Sequence, residues 1–233
     1  MYSDVFCRVY NEFGWNYYPE IFGEQLVKWM EAEPFTPKAA LDLGCGTGVL
    51  CRFLGDRGIR AAGMDLSEGM IAIAREADPQ GHYDVADMTR YRPAEPVDLI
   101  TCTGDALNHI PGLADVGRIF ENVFASLRDG GWFLCDILKE GEISNSEPFE
   151  TDMEDGTHIW FRMTRPSDRQ VALTVRVYEQ GALAFEEVIR ETLHDPGTLC
   201  QMLREAGFRE VRLQESLLRD GEHGTTWFIL ARK

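Results

Sequence analysis

Asp42, Gly44, Gly46 and Gly48 alternate through the stretch Leu41-Asp42-Leu43-Gly44-Cys45-Gly46-Thr47-Gly48-Val49-Leu50. Glycine takes backbone angles that other residues avoid, and without a Cβ the main chain can approach a ligand to contact distance. Asp65 closes an apolar run about twenty residues beyond the glycines, where a carboxylate is placed to accept from both hydroxyls of a ribose. Asp105 and His109 follow a later apolar run, and an imidazole with an ordinary pKa of about 6.5 can take a proton at neutral pH. Tyr10, Tyr17 and Tyr18 belong to an aromatic opening segment that also holds Tyr2, Phe6, Phe13 and Trp15. Their ring faces would attract a positive charge. Such residues suit a nucleoside-bearing cofactor and a second ligand that gives up a proton.

These groups need a scaffold that brings them to one edge. Ala39 to Leu43 read as a short buried strand and Val49 to Leu54 as the start of a helix, so the glycines fall in the turn between them. The unpaired N–H groups at that helix start favour electron-rich ligand atoms. Further strands are expected at 59–65, 82–87, 97–102, 132–138, 208–215 and 225–231. Val97 to Cys102 is nearly continuous apolar, as a central parallel strand covered on both faces should be. Helices are expected from Pro19 to about Glu33, from Ser67 through Ala77, over the apolar stripe Val116 to Leu127, and from Asp195 to Gly207. Residues 149 to 193 alternate apolar and polar between turn residues at 155–156, 166–168 and 180–181, which predicts about four antiparallel strands. The fold class is therefore α/β: a Rossmann-like, seven-stranded, mostly parallel sheet with helices on both faces, plus a small inserted antiparallel sheet. The main domain takes 1–138 and 194–233, and the insert 139–193.

The spacing Asp42-x-Gly44-x-Gly46-x-Gly48 differs from the Gly-x-Gly-x-x-Gly of dinucleotide-binding folds. It resembles motif I of the class I S-adenosylmethionine-dependent methyltransferases, and Asp65 resembles their motif II acid. Tyr10-Asn11-x-Phe13 is similar to an N-terminal lid over the methionine part of the cofactor. Leu127-Arg128-Asp129-Gly130-Gly131-Trp132 resembles a Leu-x-Pro-Gly-Gly turn with Asp129 in place of proline, and Leu203-x-x-Ala206-Gly207-Phe208 a common helix-to-strand junction. In layout, amino-sugar N,N-dimethyltransferases and glycine N-methyltransferase-like enzymes are nearest. The resemblance implies S-adenosyl-L-methionine as cofactor and S-adenosyl-L-homocysteine as product. It implies cofactor contacts from Tyr10, Asp42, Gly44, Cys45, Gly46, Asp65, Leu66, Met70, Asp87, Met88 and Thr103, with Asp87 accepting from the adenine amino group. The acceptor would be a small molecule, methylated on N or O by direct displacement, with His109, Asp105 and Tyr18 as candidate catalytic groups. An (Asn/Asp)-Pro-Pro-Tyr signature is absent, which argues against a nucleic acid base or glutamine as acceptor. The insert would wall the acceptor site or serve dimerisation and stability. Two other classes stay open: a non-enzymatic module that only binds S-adenosylmethionine, and a nucleotide-dependent dehydrogenase.

Composition narrows the partners. Acidic residues outnumber basic ones 39 to 23, a formal charge of −16. That sign repels nucleic acid and anionic membrane surfaces, so neither is expected as a partner. The acidic run Glu140 to Asp155 reads as a solvated surface compatible with a cationic acceptor. Six cysteines without a Cys-x-x-Cys pair read as reduced thiols. Histidines at 82, 109, 158, 194 and 223 lack ligand spacing, so no metal site is expected. With neither a leader pattern nor an apolar stretch approaching ~18 residues, a cytoplasmic monomer or homodimer is the expectation.

Overall fold

The computed structural model describes residues 3–12, 14–218 and 224–233. Tyr2, Phe13 and His223, which figure in the sequence patterns above, lie outside the described residues. The strands of the main sheet are β1 (Ala39–Leu43), β2 (Arg60–Asp65), β3 (His82–Val85), β4 (Val97–Cys102), β5 (Leu127–Leu138), β10 (Glu210–Gln214) and β11 (Thr226–Arg232). They lie in the order β10-β11-β5-β4-β1-β2-β3. The pairs β1/β2, β1/β4, β2/β3 and β4/β5 are parallel, while β11 runs antiparallel to both β5 and β10. The second sheet holds β6 (Phe149–Asp152), β7 (His158–Ser167), β8 (Gln170–Glu179) and β9 (Ala182–Thr192), all antiparallel. No described helix is long and apolar enough to cross a membrane.

The period of two along each strand decides which helices cover which face. Leu41 and Leu43 of β1 and Phe133, Cys135 and Ile137 of β5 pack with α5 (Leu113–Ser126) and α6 (Pro196–Glu205). Ala40, Trp132 and Leu134, one register step away, pack with α2 (Tyr17–Ala32) and α3 (Val49–Gly55) through Phe22, Leu26, Trp29, Leu50 and Leu54. Fully burying each such leucine or phenylalanine contributes about 1.5–3 kcal/mol. Asp42 and Asp136 occupy the same face as Ala40 and Leu134, so two carboxyls enter an otherwise apolar layer. The N-terminal helix α1 (Asp4–Glu12) lies between α4 (Glu68–Ala77) and the second sheet. Its Phe6, Cys7 and Val9 pack against Met70 on one side and Ile159, Val175, Val177 and Ile189 on the other. The insert is thereby tied to the main sheet through this helix.

One boundary departs from the sequence pattern. The turn expected at Asp129-Gly130-Gly131 is a bulge within an unbroken strand: Val97 pairs with Leu127 and Leu99 with Trp132, so the partner strand gains residues between them. A Cβ on Gly131 would stand 2.8 Å from the Asp98 carbonyl, so the glycine there serves close backbone packing. All six cysteines are buried and free.

Candidate active site

The strand order reverses between β1 and β4, and in open α/β sheets ligands bind beyond the carboxyl ends at such a point. A cavity of about 660 Å³ opens there, within the ~300–1,000 Å³ span of small-ligand sites. Tyr10, Asp42, Gly44, Cys45, Gly46, Asp65, Leu66, Met70, Asp87, Met88 and Thr103 all line it, as do Tyr18, Asp105 and His109. The fold thus brings the candidate cofactor contacts and candidate catalytic groups to one place, whereas Tyr17 is 62% exposed and does not line the cavity.

The three glycines divide the work. Gly44, Gly46 and Gly48 all have positive φ, at 74°, 52° and 75°. A Cβ on Gly44 would stand 2.8 Å from Ala106 Cβ, and one on Gly48 2.7 Å from the Tyr83 ring. Those two are required by packing. A Cβ on Gly46 would meet nothing within 4 Å; that glycine faces the cavity, so it leaves the cradle that a ligand backbone-to-ligand contact needs. The turn is held by Gly44 and Cys45 N–H groups donating to the Met64 carbonyl at 2.8 and 3.0 Å.

Asp65 Oδ2 accepts from Gly46 N–H at 3.0 Å and Oδ1 from Ser67 N–H at 2.8 Å, fixing the carboxylate between the glycine turn and α4. Ser67, not Asp65, caps α4 by accepting from Met70 N–H. Burial raises the Asp65 pKa although these N–H groups oppose the shift. Asp42 is buried and accepts from Thr101 Oγ1 at 2.7 Å; burial pushes its pKa up to about 7. Asp87 lines the cavity and also closes its own turn, since Oδ1 accepts from the Thr89 N–H and hydroxyl at 2.9 and 2.7 Å. Tyr10 packs edge-on to Phe6 and beside Trp15, while Asn11 Oδ1 accepts from Thr47 Oγ1 at 2.9 Å. The latter bond fastens the N-terminal helix to the glycine turn.

Sequence patterns do not mark Asp136, which sits in the centre of this end of the molecule. It is fully buried on β5. Its Oδ1 accepts from Asp105 N–H at 2.9 Å, its Oδ2 from Gly104 N–H at 3.0 Å, and the Tyr18 hydroxyl donates to Oδ2 as well. Gly104 and Asp105 both have left-handed backbone, with φ of 68° and 55°. Such strain persists only when its surroundings enforce it, and Asp136 is the enforcing group. The only mark it leaves in the sequence is one acid inside an apolar strand, a feature that must find buried donors.

The Tyr18 hydroxyl thus donates to a carboxyl, and burial followed by the Asp136 charge raises its pKa far above the ordinary value.

Asp105 leads into a 3-10 turn, Ala106–His109, which carries His109 on the cavity wall. Asn108 from that turn is buried, donating from Nδ2 to the Thr192 carbonyl at 2.7 Å and accepting from Leu138 N–H at 3.1 Å. It pins the end of β9 beside this 3-10 turn and so brings Glu191 to the cavity. His109 Nε2 lies 3.8 Å from Asp105 Oδ1 and 3.9 Å from Glu191 Oε1. Burial lowers the His109 pKa to about 4, so the ring is neutral at pH 7. Burial raises Glu191 to about 7 and raises Asp105 too, the latter with help from the Glu191 and Asp136 charges. Glu187 and Arg190 also face the cavity from β9, and Leu173 from β8. By contrast, Glu140, Glu142, Glu147, Glu150, Asp152, Glu154 and Asp155 are exposed and contribute nothing to the lining. The acidity at this end of the cavity comes from Asp105, Glu187 and Glu191, which no run in the sequence displays.

A family model described as a methyltransferase domain matches residues 15–213. A protein of Geobacillus sp. (strain WCH70), described as a putative methyltransferase, is 28% identical over 209 residues, 84% of this chain and 85% of that one. A ubiquinone biosynthesis O-methyltransferase of Thiobacillus denitrificans is 26% identical over 175 residues, 70% of this chain and 72% of that one. Among solved structures, an amino pentose methyltransferase of Micromonospora echinaspora with S-adenosylmethionine bound superposes with a TM-score of 0.78 at 22% identity, covering 100% of this chain and 98% of that one.

Proposed function

From the premise that this chain belongs to the methyltransferase-domain family, and is an S-adenosylmethionine-dependent methyltransferase, we propose that its acceptor is a small molecule methylated on N or O at the wall formed by Asp105, His109 and Glu191. The observation that carries this reading is the continuity of one cavity from the Gly46 cradle and Asp65 to that wall. The cited relatives are named as an O-methyltransferase of ubiquinone biosynthesis and an amino pentose methyltransferase, which supports this reading.

Bound S-adenosylmethionine supplies a methyl group already activated on a sulfonium. In this assignment Gly46, with Asp42 and Cys45, would hold its amino-acid tail. Asp65 would accept from the ribose hydroxyls, and Leu66, Met70, Asp87 and Met88 would hold the adenine. Tyr10 and Thr103 would border the methyl-bearing end. On the acceptor side, residues 139–193 act as a substrate wall, presenting Leu173 and the β9 residues to the cavity. The protein's task is alignment of an acceptor lone pair with the methyl carbon and exclusion of water, and well-oriented systems gain ~7–11 kcal/mol of barrier from alignment. The Asp105 and Glu191 carboxyls, whose pKa values burial raises, can hold a proton that leaves the acceptor, whereas His109, with a pKa brought down to about 4, is too weak a base for that at neutral pH.

The test is turnover with a panel of small amines and alcohols, following S-adenosylhomocysteine by chromatography. Formation of product with a subset of the panel is the expected result. Tight S-adenosylmethionine binding with no product from any acceptor would favour a binding module, and binding of reduced nicotinamide cofactor a dehydrogenase.

A further inference from the structure

We propose that Asn108 is a positioning residue for methyl transfer: its buried amide staples the inserted sheet to the end of β5, and so holds the two sides of the cavity beyond the cofactor residues in one arrangement. The inference deepens the small-molecule reading above and rests on it for what fills that part of the cavity.

Two strand edges meet at this amide. β4 ends with Cys102 beside Cys135, and β5 runs on to Leu138, past the last residue of its neighbour. A buried main-chain N–H there needs another acceptor. Asn108 Oδ1 takes that place, accepting from Leu138 N–H at 3.1 Å. β9 is the outer strand of the second sheet, and an outer strand leaves the N–H and C=O groups of one edge outside its ladder. Asn108 Nδ2 donates to the Thr192 carbonyl at 2.7 Å, and the ring of His109, the next residue, donates to the Arg190 main chain. Positions 190 and 192 lie two apart on the strand, hence on the same edge. The 3-10 turn thus stands in for a neighbouring strand to β5 and β9 at once.

The residue type follows from the partners. One atom must accept from an N–H and the other donate to a carbonyl, and a primary amide offers both on one rigid plane. The reversed amide would set N–H against N–H and oxygen against oxygen, so its orientation is forced. Asn108 is 0% exposed, which leaves no solvent to take over either bond. Leucine has a similar shape but neither function. A carboxylic acid has both while protonated and loses its donor when ionised.

Place gives the staple its consequence. Leu138 is the last residue of β5 and Thr192 the last of β9, so the amide grips the chain where it leaves the main sheet for the insert and where it returns. The loop that carries it is tied at both ends: Asp136 accepts from the Gly104 and Asp105 N–H groups, and His194 Nε2 donates to the Ile110 carbonyl at 2.9 Å. Asp105, His109 and Leu138 line the cavity from one side and Glu187 to Glu191 from the other, and Asn108 acts through them. With the staple cut, Ile159, Val175, Val177 and Ile189 would still pack on α1, but apolar contact has no direction and does not fix the gap. A displacement near 1 Å at the acceptor costs on the order of 100-fold in rate. The glycine turn and Asp65 belong to β1, β2 and the turns after them, outside the stapled joint.

The test compares the full parent chain with Asn108→Leu and Asn108→Asp, each saturated with S-adenosylhomocysteine. Amide hydrogen exchange, read by mass spectrometry, is expected to quicken about tenfold or more in Asn108→Leu over residues 104–110 and 187–193, and to stay within about threefold of the parent over residues 41–50. S-adenosylhomocysteine affinity by calorimetry should also stay within about threefold, while kcat/KM for panel amines and alcohols that the parent methylates falls about tenfold or more. Asn108→Asp is the arm that a packing role would not move. Compared with the parent at the same pH, its exchange should match at pH 5, where the carboxyl is protonated, and loosen over the same residues by pH 9. The titratable neighbours Asp105, His109, Glu191 and His194 are common to all three proteins, so comparison at each pH removes their part. Parent-like exchange in Asn108→Leu, loosening spread evenly over the chain, or exchange in Asn108→Asp that does not respond to pH would overturn the staple; the last decides alone if Asn108→Leu does not fold. Weak S-adenosylhomocysteine binding by the parent, or a panel with no member methylated, strikes the underlying function instead and leaves the exchange result standing.

Discussion

Replacing Asp136 by asparagine exchanges one buried acceptor oxygen for an NH2 donor while keeping shape. The carboxyl of Asp136 accepts from three donors, the N–H groups of Gly104 and Asp105 and the Tyr18 hydroxyl. An asparagine oxygen in the Oδ2 position keeps Gly104 and Tyr18 but turns its NH2 toward the Asp105 N–H; the flipped amide opposes the Gly104 N–H instead. Either orientation leaves at least one buried N–H without an acceptor, which costs about 1–3 kcal/mol. Relief of the carboxyl's own burial, which raises its pKa, offsets part, so a loss of about 2 kcal/mol is expected in urea unfolding. The functional loss should be larger than the stability loss. Gly104 and Asp105 would relax from their left-handed angles, and a displacement near 1 Å at the acceptor costs on the order of 100-fold in rate. Asp136→Asn should therefore lower kcat at least tenfold while changing S-adenosylmethionine affinity less than threefold. A cycle with Tyr18→Phe should show a coupling of about 1–2 kcal/mol, since the two side chains touch. Unfolding within 0.5 kcal/mol of the parent, additive single changes and an unaltered kcat would refute the claim that Asp136 enforces the loop.

Three further outcomes follow from the same geometry. Gly46→Ala, whose Cβ enters open cavity, should cost about 1–2 kcal/mol of backbone strain but at least tenfold in S-adenosylmethionine affinity, whereas Gly44→Ala, meeting Ala106 at 2.8 Å, should lower the melting temperature more; calorimetry and thermal unfolding on both variants check the contrast. Asp65→Ala should weaken S-adenosylmethionine at least tenfold with the fold intact by circular dichroism, as loss of a charge-assisted pair to the ribose requires; unchanged affinity would count against that contact. Asp42 has a folded pKa of about 7 against an ordinary 3.8, so the native state holds the extra proton and this group's stabilisation, complete below pH 4, is lost as pH rises through 7. Asp42→Asn should accordingly flatten the fall in urea stability between pH 5 and 7 by about 1.4 kcal/mol per pH unit.

Local chemistry was legible in the sequence wherever one element suffices to state it. The glycine turn, the acid ending β2 and the apolar run of β4 each announce themselves within about ten residues, because buried parallel strands must be apolar throughout and must end at ligand-facing turns. The reach of that logic stops where two elements meet. Ser126 ends α5 and Leu127 starts β5 without a turn, because the bulge opposite Asp98 absorbs the glycines that would ordinarily mark one. Glu191 reads as an ordinary polar position of an alternating strand; only the bond from Asn108 to the Thr192 carbonyl carries it to His109. Asp136 is the sharper case, since its strand alternation puts it on the α2 face where Tyr18 waits, and both facts were available separately. What no periodicity contains is that the β4 and β5 registers set Cys102 beside Cys135, so that the next residue of β5 falls under the Gly104 and Asp105 amides. The cavity wall at Asp105 and His109 is thus specified by strand register and one buried carboxyl, and changing either should move Asp105 and His109 together while leaving the Gly46 turn where it is.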